Sequence, residues 1–261
     1  MRRVVTTALA ILVLVLSLAE NVAAGPYEDG QAAYEREDYA TALRYWRPLA
    51  DQGDAGAQHN LGNMYRLGES VAKDAAEAVR WYRKAADQGH ARAHHLLGFM
   101  YIIGQGVPKN DAEAVKWYRK AADQGDADAQ VILGDMYHDA WLVAQDYAEA
   151  LKWYRKAADQ GNADAQNGLG VMYRDGEGLP PDHAEAIKWF RRATDQGHAQ
   201  AQSDLASMYY NGKGVPQDYA EALKWYRKAA DQGHARAQGQ VGLMYFAGCV
   251  LHPAIWTQGR G

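Results

Sequence analysis

Cysteine is nearly missing from this sequence of 261 residues, which contains only Cys249. A single cysteine excludes an internal disulfide framework, so the stability of the fold has to come from packing. Neither sign of charge dominates, because 28 basic and 32 acidic residues give a formal net charge of −4. A mixed, mildly acidic composition is not typical of a nucleic-acid-binding protein, which needs a basic patch.

Long hydrophobic runs are also lacking, with one exception at the start of the chain. Arginines at positions 2 and 3 precede an apolar segment of 11 residues, Ala8 to Leu18, and small residues occupy positions 22–24. This order is typical of a secretory signal peptide, predicted over residues 1–24 with cleavage after Ala24. The apolar segment is too short for a permanent membrane anchor, although an uncleaved anchor stays open. The sequence therefore predicts an exported protein, periplasmic or secreted, with no transmembrane segment after cleavage.

The sequence is dominated by an internal period. The tripeptide Asp-Gln-Gly recurs every 36 residues, at positions 51–53, 87–89, 123–125, 159–161, 195–197 and 231–233. Tryptophan keeps the same step from Trp81 to Trp225, and no insertion breaks it. Self-similarity at a fixed period of this length indicates a repeat architecture.

Each period contains two helical patterns, called here helix A and helix B. Helix B is exemplified by residues 218–233, where Asp218 is a suitable N-cap and Gly233 a suitable C-terminal stop. Its apolar residues fall on one face: Ala222, Trp225, Tyr226, Ala229 and Ala230. Helix A follows each Asp-Gln-Gly and begins at Asp54, His90, Asp126, Asn162, His198 or His234. A glycine-rich turn, such as 211–217, joins A to B.

A lone helical hairpin cannot bury its apolar face, so neighbouring hairpins have to stack. The predicted fold is an all-α superhelical solenoid of stacked antiparallel helical hairpins. The pattern Ala-Gln-x-x-Leu-Gly-x-Met-Tyr, then Gly-x-Gly-Val-Pro and Ala-x-x-Trp-Tyr-x-Lys-Ala-Ala, resembles the Sel1-like repeat, a relative of the tetratricopeptide repeat. The resemblance implies a scaffold or adaptor for protein or peptide partners, in bacterial signalling, envelope assembly or host contact.

The predicted domain organisation follows the period. Residues 25–53 form a tetratricopeptide-like entry hairpin, and residues 234–261 form a partial repeat with a tail. Five full repeats lie between them, at 54–89, 90–125, 126–161, 162–197 and 198–233. The tail is open to three interpretations: a cap, an interface with another chain, which includes self-association, or a truncated gene end.

Superposing the six copies of helix A separates a constant face from a varied one. The resemblance implies that helix A lines the concave side of the solenoid, so the varied face is the predicted partner site. Neutral variation of a solvated face is the alternative. The predicted partner-binding residues are Asn63, Arg66, Phe99, Ile102, Ile103, Asp135, His138, Trp141, Val171, Arg174, Ser207, Tyr210, Leu243 and Phe246.

Large apolar residues on that face favour a partner site, since such residues are common interface anchors. Replacing Phe99 and Tyr210 by Ser is expected to abolish partner capture and to leave melting unchanged. Trp141 lies in an unusual turn, residues 139–145, which lacks the glycines and proline of its sister turns. It is either packed locally or an exposed anchor.

Catalytic and metal-binding patterns are weak. His90 and His94 are four residues apart, but a capping role for His90 and a glutamine-equivalent position for His94 explain them without a metal. No motif of a hydrolase, nucleotide-binding loop or redox pair occurs in the sequence. Some proteins with similar repeats are described as penicillin-binding or hydrolysing, and these have a disulfide in each repeat. With Cys249 alone, this chain departs from that pattern, so no metal, cofactor or catalytic residue is predicted.

Overall fold

The computed structural model describes residues 25–247, which contain thirteen α-helices and no strand. The predicted signal peptide and the tail beyond residue 247 lie outside the described residues. The helices are α1 (Pro26–Glu35), α2 (Tyr39–Asp51), α3 (Ala55–Leu67), α4 (Ala75–Asp87), α5 (Ala91–Ile103), α6 (Asp111–Asp123), α7 (Ala127–His138), α8 (Tyr147–Asp159), α9 (Ala163–Asp175), α10 (His183–Asp195), α11 (Ala199–Asn211), α12 (Tyr219–Asp231) and α13 (Ala235–Phe246).

The predicted helix boundaries are confirmed by their caps. The Asp218 carboxylate accepts from the Glu221 backbone N–H at 2.9 Å, and the Asp54 carboxylate accepts from the Ala57 N–H at 2.7 Å. Each such bond satisfies a donor that the first turn of a helix leaves unpaired. Gly233 has a φ of 84° and ends helix B in the left-handed region, where glycine meets no steric cost. The local sequence thus sets where the helices begin and end.

The described residues divide into two compact units, 25–93 with 104–108 and 94–103 with 109–247. In the first unit, α1 to α4 pack in chain order, each on the next. In the second unit, α6 to α13 pack in the same sequential way. The predicted fold class is confirmed: the chain is an all-α solenoid built from stacked antiparallel helical hairpins.

Within a hairpin, glycine on helix A lets an aromatic ring of helix B lie against the backbone. A Cβ placed on Gly134 would lie 2.5 Å from the ring of Tyr154, and one on Gly62 would lie 2.6 Å from the ring of Tyr82. Real side chains do not approach this closely, so the position has to stay small. The small residue, which is glycine except at Ala206 in α11, and the aromatic residue of the period therefore form one contact.

Buried glutamines join neighbouring hairpins and explain the Asp-Gln-Gly tripeptide. Gln130 donates to the Ala122 carbonyl at 2.9 Å and accepts from the Gln160 amide at 2.8 Å. Gln160 is the central residue of one tripeptide, and the same amide pair recurs with each later repeat. In α5, His94 takes the place of the glutamine and lies 2.9 Å from the Gln124 side chain. A buried amide needs a partner, so the bond to Ala122 sets the position of one hairpin on the preceding one, and the bond from Gln160 joins the start and the end of a single hairpin.

The unusual turn between α7 and α8 holds two non-glycine residues in the left-handed region. Ala140 has a φ of 57° and Leu142 a φ of 67°, whereas glycine occupies the position of Ala140 in every sister turn. Trp141 between them leaves 44% of its surface exposed, so local packing does not bury it. The backbone follows the path of the sister turns although the side chains disfavour it.

Replacing Ala140 by Gly is expected to raise the free energy of unfolding by about 1 kcal/mol, because the left-handed conformation costs an L-residue about that much. Chemical denaturation of the two proteins measures the difference. Ala144→Gly in the same turn is the control, since Ala144 is exposed and has no positive φ. An equal gain in the control would show that strain at Ala140 is not the cause.

Candidate binding groove

A groove of about 470 Å³ opens in the second unit between α7, α9 and α11, with the ring of Tyr154 from α8 at one side. These A helices present their varied face to the groove. Gly168 on α9 gives it depth, because a side chain at that position would meet the Tyr154 ring. The residues that define its chemistry are Asp135, His138, Asp139, Asp164, Asn167 and His198.

Asp135 is the most enclosed acid of the groove. Its carboxylate accepts a hydrogen bond from the Tyr154 hydroxyl at 2.6 Å. Burial raises the pKa of Asp135 above its ordinary value and outweighs the opposing effect of that bond. In the first repeat, Asn63 accepts from the Tyr82 hydroxyl at 2.8 Å in the same arrangement. The geometry is therefore shared between repeats, but the charge at this position is particular to α7.

His138 closes one end of the groove through two carboxylates. Its Nε2 lies 2.8 Å from Glu177, and its Nδ1 contacts Asp139. Burial by itself lowers the pKa of His138, but the bonds to Asp139 and Glu177 outweigh it, and the pKa is raised. His138 thus ties the end of α7 to the turn after α9.

His198 and Asp164 form the opposite wall. His198 Nδ1 accepts from the Ala201 backbone N–H at 3.1 Å, which makes this histidine the N-cap of α11. Its Nε2 lies 2.9 Å from the Asp164 carboxylate. Between the walls, the side-chain oxygen of Asn167 is buried and makes no hydrogen bond within residues 25–247. The groove therefore presents hydrogen-bond acceptors and negative charge.

The structure brings three of the predicted partner-binding residues into this groove: Asp135, His138 and Val171. Other predicted residues already have partners within the protein. Arg174 forms an ion pair with Asp204 at 2.8 Å and with Asp175, so its guanidinium is held against the chain. Ser207 accepts from the Asn211 amide at 3.2 Å.

In the first unit, the predicted residues Asn63 and Arg66 serve the packing of α4 on α3. Asn63 accepts from the Tyr82 hydroxyl, and Arg66 donates to that hydroxyl at 3.2 Å. Burial raises the pKa of Tyr82 to about 12, so the phenol remains a donor at ordinary pH. The varied position here stabilises the hairpin.

The predicted apolar anchors differ in exposure. Phe99 is 39% exposed and Ile103 is 46% exposed, whereas Ile102 packs on the core of the second unit. Tyr210 is half-buried and meets the Tyr219 ring edge-on at 5.2 Å. Because Tyr210→Ser removes this packing, we now expect it to lower the melting temperature. Leu243 and Phe246 are 59% and 94% exposed on α13.

Several residues of the groove were not predicted: Asp164, Asn167, Gly168, His198 and Gln200. All five positions vary between repeats, and 164 and 200 are the same position of the period, but none of the five is a large apolar residue. The contact between Asp164 and His198 follows the 36-residue period of the sequence. A residue two places after one N-cap meets the N-cap of the next repeat, as in Asp164 with His198 and Gln200 with His234 at 2.8 Å.

The comparisons with known proteins identify the repeat. The family model described as "Sel1 repeat" matches residues 19–54, 55–90, 91–126, 127–162, 163–198 and 199–234. The chain belongs to the Sel1-repeat family. Proteins of this family are generally non-catalytic scaffolds for protein interaction. No curated protein matches the chain.

Two solved Sel1-repeat structures are similar to this chain. One is c5321, a protective antigen of uropathogenic Escherichia coli strains, with 39% identity and a TM-score of 0.79 over 86% of this chain. This chain spans about half of that protein's length, 49%. The other is a Sel1 repeat protein from Oxalobacter formigenes, with 36% identity and a TM-score of 0.80. That match covers 85% of this chain and 88% of the other.

Within residues 25–247, no group of three or more histidine, cysteine or acidic side chains is arranged to hold a metal ion. In the same range, no helix combines the length and apolarity needed to cross a bilayer.

Proposed function

We propose that this Sel1-repeat protein is an exported scaffold that binds a basic segment of a partner protein in the groove between α7, α9 and α11. The observation that carries the proposal is the groove's acceptor-rich chemistry. Asp135, Asp139, Asp164 and Glu177 face only two histidines there. A lysine or arginine side chain supplies both the positive charge and the donors that such a groove lacks.

The buried oxygen of Asn167 supports the same ligand. A buried acceptor without a partner is costly, and a donor from a ligand removes that cost. The groove holds a few side chains of an extended segment, consistent with recognition of a peptide-like stretch. Charge complementarity of this kind raises the rate of association and the specificity of a complex.

The proposed export rests on the signal-peptide pattern in residues 1–24. Among the relatives, a protective antigen of uropathogenic strains is consistent with a role outside the cytoplasm. Envelope signalling, envelope assembly and contact with a host cell are the processes in which such a scaffold fits.

The test uses the mature protein and a fluorescent peptide of alternating lysine and serine. Asp135→Asn with Asp164→Asn is expected to weaken binding at least about tenfold, because it removes two charges from the groove. Asn at position 135 can still accept the hydrogen bond from the Tyr154 hydroxyl, as Asn63 accepts one from Tyr82. Asp159→Asn with Asp195→Asn is the matched control, since both residues are exposed at the ends of B helices.

Affinity capture from an envelope extract then identifies the natural partner with the same three proteins. A protein recovered by the wild type and the control, and lost with the groove variant, supports the proposal. Equal loss in both double variants attributes binding to overall charge. Recovery of the bait alone favours a structural, self-associating protein.

We also infer that the protein is not an enzyme. The lining of the groove contains no serine, threonine or cysteine nucleophile. Incubation of the purified protein with a fluorescent penicillin is expected to leave no covalent label. A stable label would instead support the penicillin-binding alternative.

A further inference from the structure

One position near the end of helix A determines which side chain lies beside the aromatic ring of helix B. Arg66, His138 and Arg174 occupy this position in α3, α7 and α9. In the first unit, the Arg66 Nε donates to the Tyr82 hydroxyl at 3.2 Å. In the second unit, the guanidinium carbon of Arg174 lies 5.9 Å from the centre of the Phe190 ring. In both hairpins, an arginine of the chain itself therefore accompanies the ring.

The arginine of α9 is held by acidic side chains from α9 and α11. Arg174 donates to Asp204 at 2.8 Å and pairs with Asp175. The Asp204 side chain is only 7% exposed. A carboxylate enclosed to this degree needs a cation and hydrogen bonds to offset its loss of water. The space between α9 and α11 is thus filled from within the protein by an ion pair.

The groove between α7 and α9 lacks this internal arginine. His138 takes its position, and its ring nitrogens contact Glu177 and Asp139. Gly168 stands where α11 has Asp204, so α9 sends no side chain into the groove from that position. The volume that an arginine and its counterion fill between α9 and α11 is therefore open between α7 and α9.

Hydrogen-bond acceptors and negative charge border this open volume. The Tyr154 hydroxyl donates to Asp135 at 2.6 Å, which leaves its own lone pairs for a donor. Burial raises the pKa of Tyr154, and the negative charges of Asp135 and Asp139 raise it further. The buried oxygen of Asn167 is a further acceptor. The surroundings of the ring are thus complementary to a cation with several donors.

We infer that the groove recognises an arginine side chain of another polypeptide in preference to lysine, an inference that rests on the function proposed above. The guanidinium lies beside the Tyr154 ring, in the place that Arg66 and Arg174 take in their own hairpins. A guanidinium carries five donors in a planar fork, which can meet the Asp135 carboxylate with two parallel bonds. Donors then remain for the Tyr154 hydroxyl and the Asn167 oxygen. The ammonium of lysine has three donors and no fork.

Two fluorescent peptides of equal length and charge test the preference, one alternating arginine with serine and the other lysine with serine. Fluorescence anisotropy with the mature protein is expected to show at least about tenfold tighter binding of the arginine peptide. The groove variant, Asp135→Asn with Asp164→Asn, is expected to weaken both peptides. If the two peptides bind equally and both are weakened by the groove variant, the arginine inference is wrong and the proposed function stands.

His138→Arg supplies the missing arginine from the chain itself. We expect the new side chain to fill the groove, as Arg174 does between α9 and α11, and to weaken binding of the arginine peptide at least about tenfold. Asp195→Asn is the control for charge, because it changes the net charge by the same amount at an exposed residue of α10. Circular dichroism checks that each variant keeps its helices. An unchanged affinity of His138→Arg overturns the inference.

His138→Gln separates the added arginine from the lost histidine. This variant removes the imidazole and supplies no cation, so its loss of affinity is expected to be smaller than that of His138→Arg. An equal loss in the two variants attributes the effect to the missing histidine and overturns the inference.

One further variant decides whether the chain's own tail is the ligand. The sequence after α13 contains one arginine, Arg260. We expect Arg260→Gln to bind the arginine peptide as the wild type does. If only this variant binds it, the tail occupies the groove, and recognition of another polypeptide is wrong. Binding of neither peptide to either protein overturns the proposed function and this inference together.

Discussion

Gly134→Leu is expected to lower the free energy of unfolding by about 3 kcal/mol, the upper end of the usual cost of overpacking. A Cβ at this position lies 2.5 Å from the Tyr154 ring, and the rest of the leucine has no room. Displacing the ring also strains the bond from the Tyr154 hydroxyl to Asp135. Urea unfolding followed by circular dichroism and tryptophan fluorescence measures the loss.

Gly242→Leu is the matched control, because it makes the same change at the same position of the repeat. With open space around Gly242, leucine is expected to raise stability by up to about 1 kcal/mol through its higher helix propensity. Ala206 occupies the equivalent position in α11, so the α11–α12 hairpin accommodates a single methyl group at this position. Leucine is larger by three carbon atoms. A loss of similar size at both sites would contradict the assignment of the cost to the Tyr154 ring.

Acid is expected to destabilise the first unit through His59. Burial lowers the pKa of His59 from 6.5 to about 4, with a further contribution from the positive potential of His90. The two rings stack with their centroids 4.8 Å apart. Because the unfolded chain takes up the proton first, stability is fully present above pH 6.5 and is lost as the pH falls toward about 4. The expected loss is about 2–3 kcal/mol.

His59→Asn removes most of this acid sensitivity, because asparagine does not titrate and occurs at the equivalent position as Asn167. Hydrogen exchange of residues 25–93 at about pH 7 and about pH 4.5, corrected for the intrinsic rate, measures the effect. The wild type should lose protection at the lower pH and the variant should not. Parallel loss in both proteins would mean that carboxylates, not His59, control acid unfolding.

The local signals in the sequence were sufficient for the fold. Asp218 and Gly233 set the limits of one helix through contacts within a few residues, so no long-range information was needed. The period then determined the stacking, since a face that is buried in one copy is buried in the next. The contact between Gly134 and Tyr154 was implicit in two constant positions 20 residues apart.

The groove was less predictable, because its walls come from different repeats. Asp164 and His198 are 34 residues apart, and only the rise from one hairpin to the next brings them together. The sequence also did not predict that Tyr210 packs within the protein. A tyrosine at a varied position can pack on the next helix, as it does on Tyr219, and the sequence does not show which way its ring lies.

The hydrogen bonds of the buried glutamines have a consequence for how the gene of such a protein changes length. Gln130 donates to the Ala122 carbonyl of the preceding hairpin and accepts from Gln160 of its own hairpin, so each hairpin requires only a backbone carbonyl from its neighbour. A duplicated 36-residue segment, inserted in frame, would meet the same donors and acceptors on both sides. The chain can therefore gain or lose whole hairpins in evolution without leaving an unpaired amide in the core.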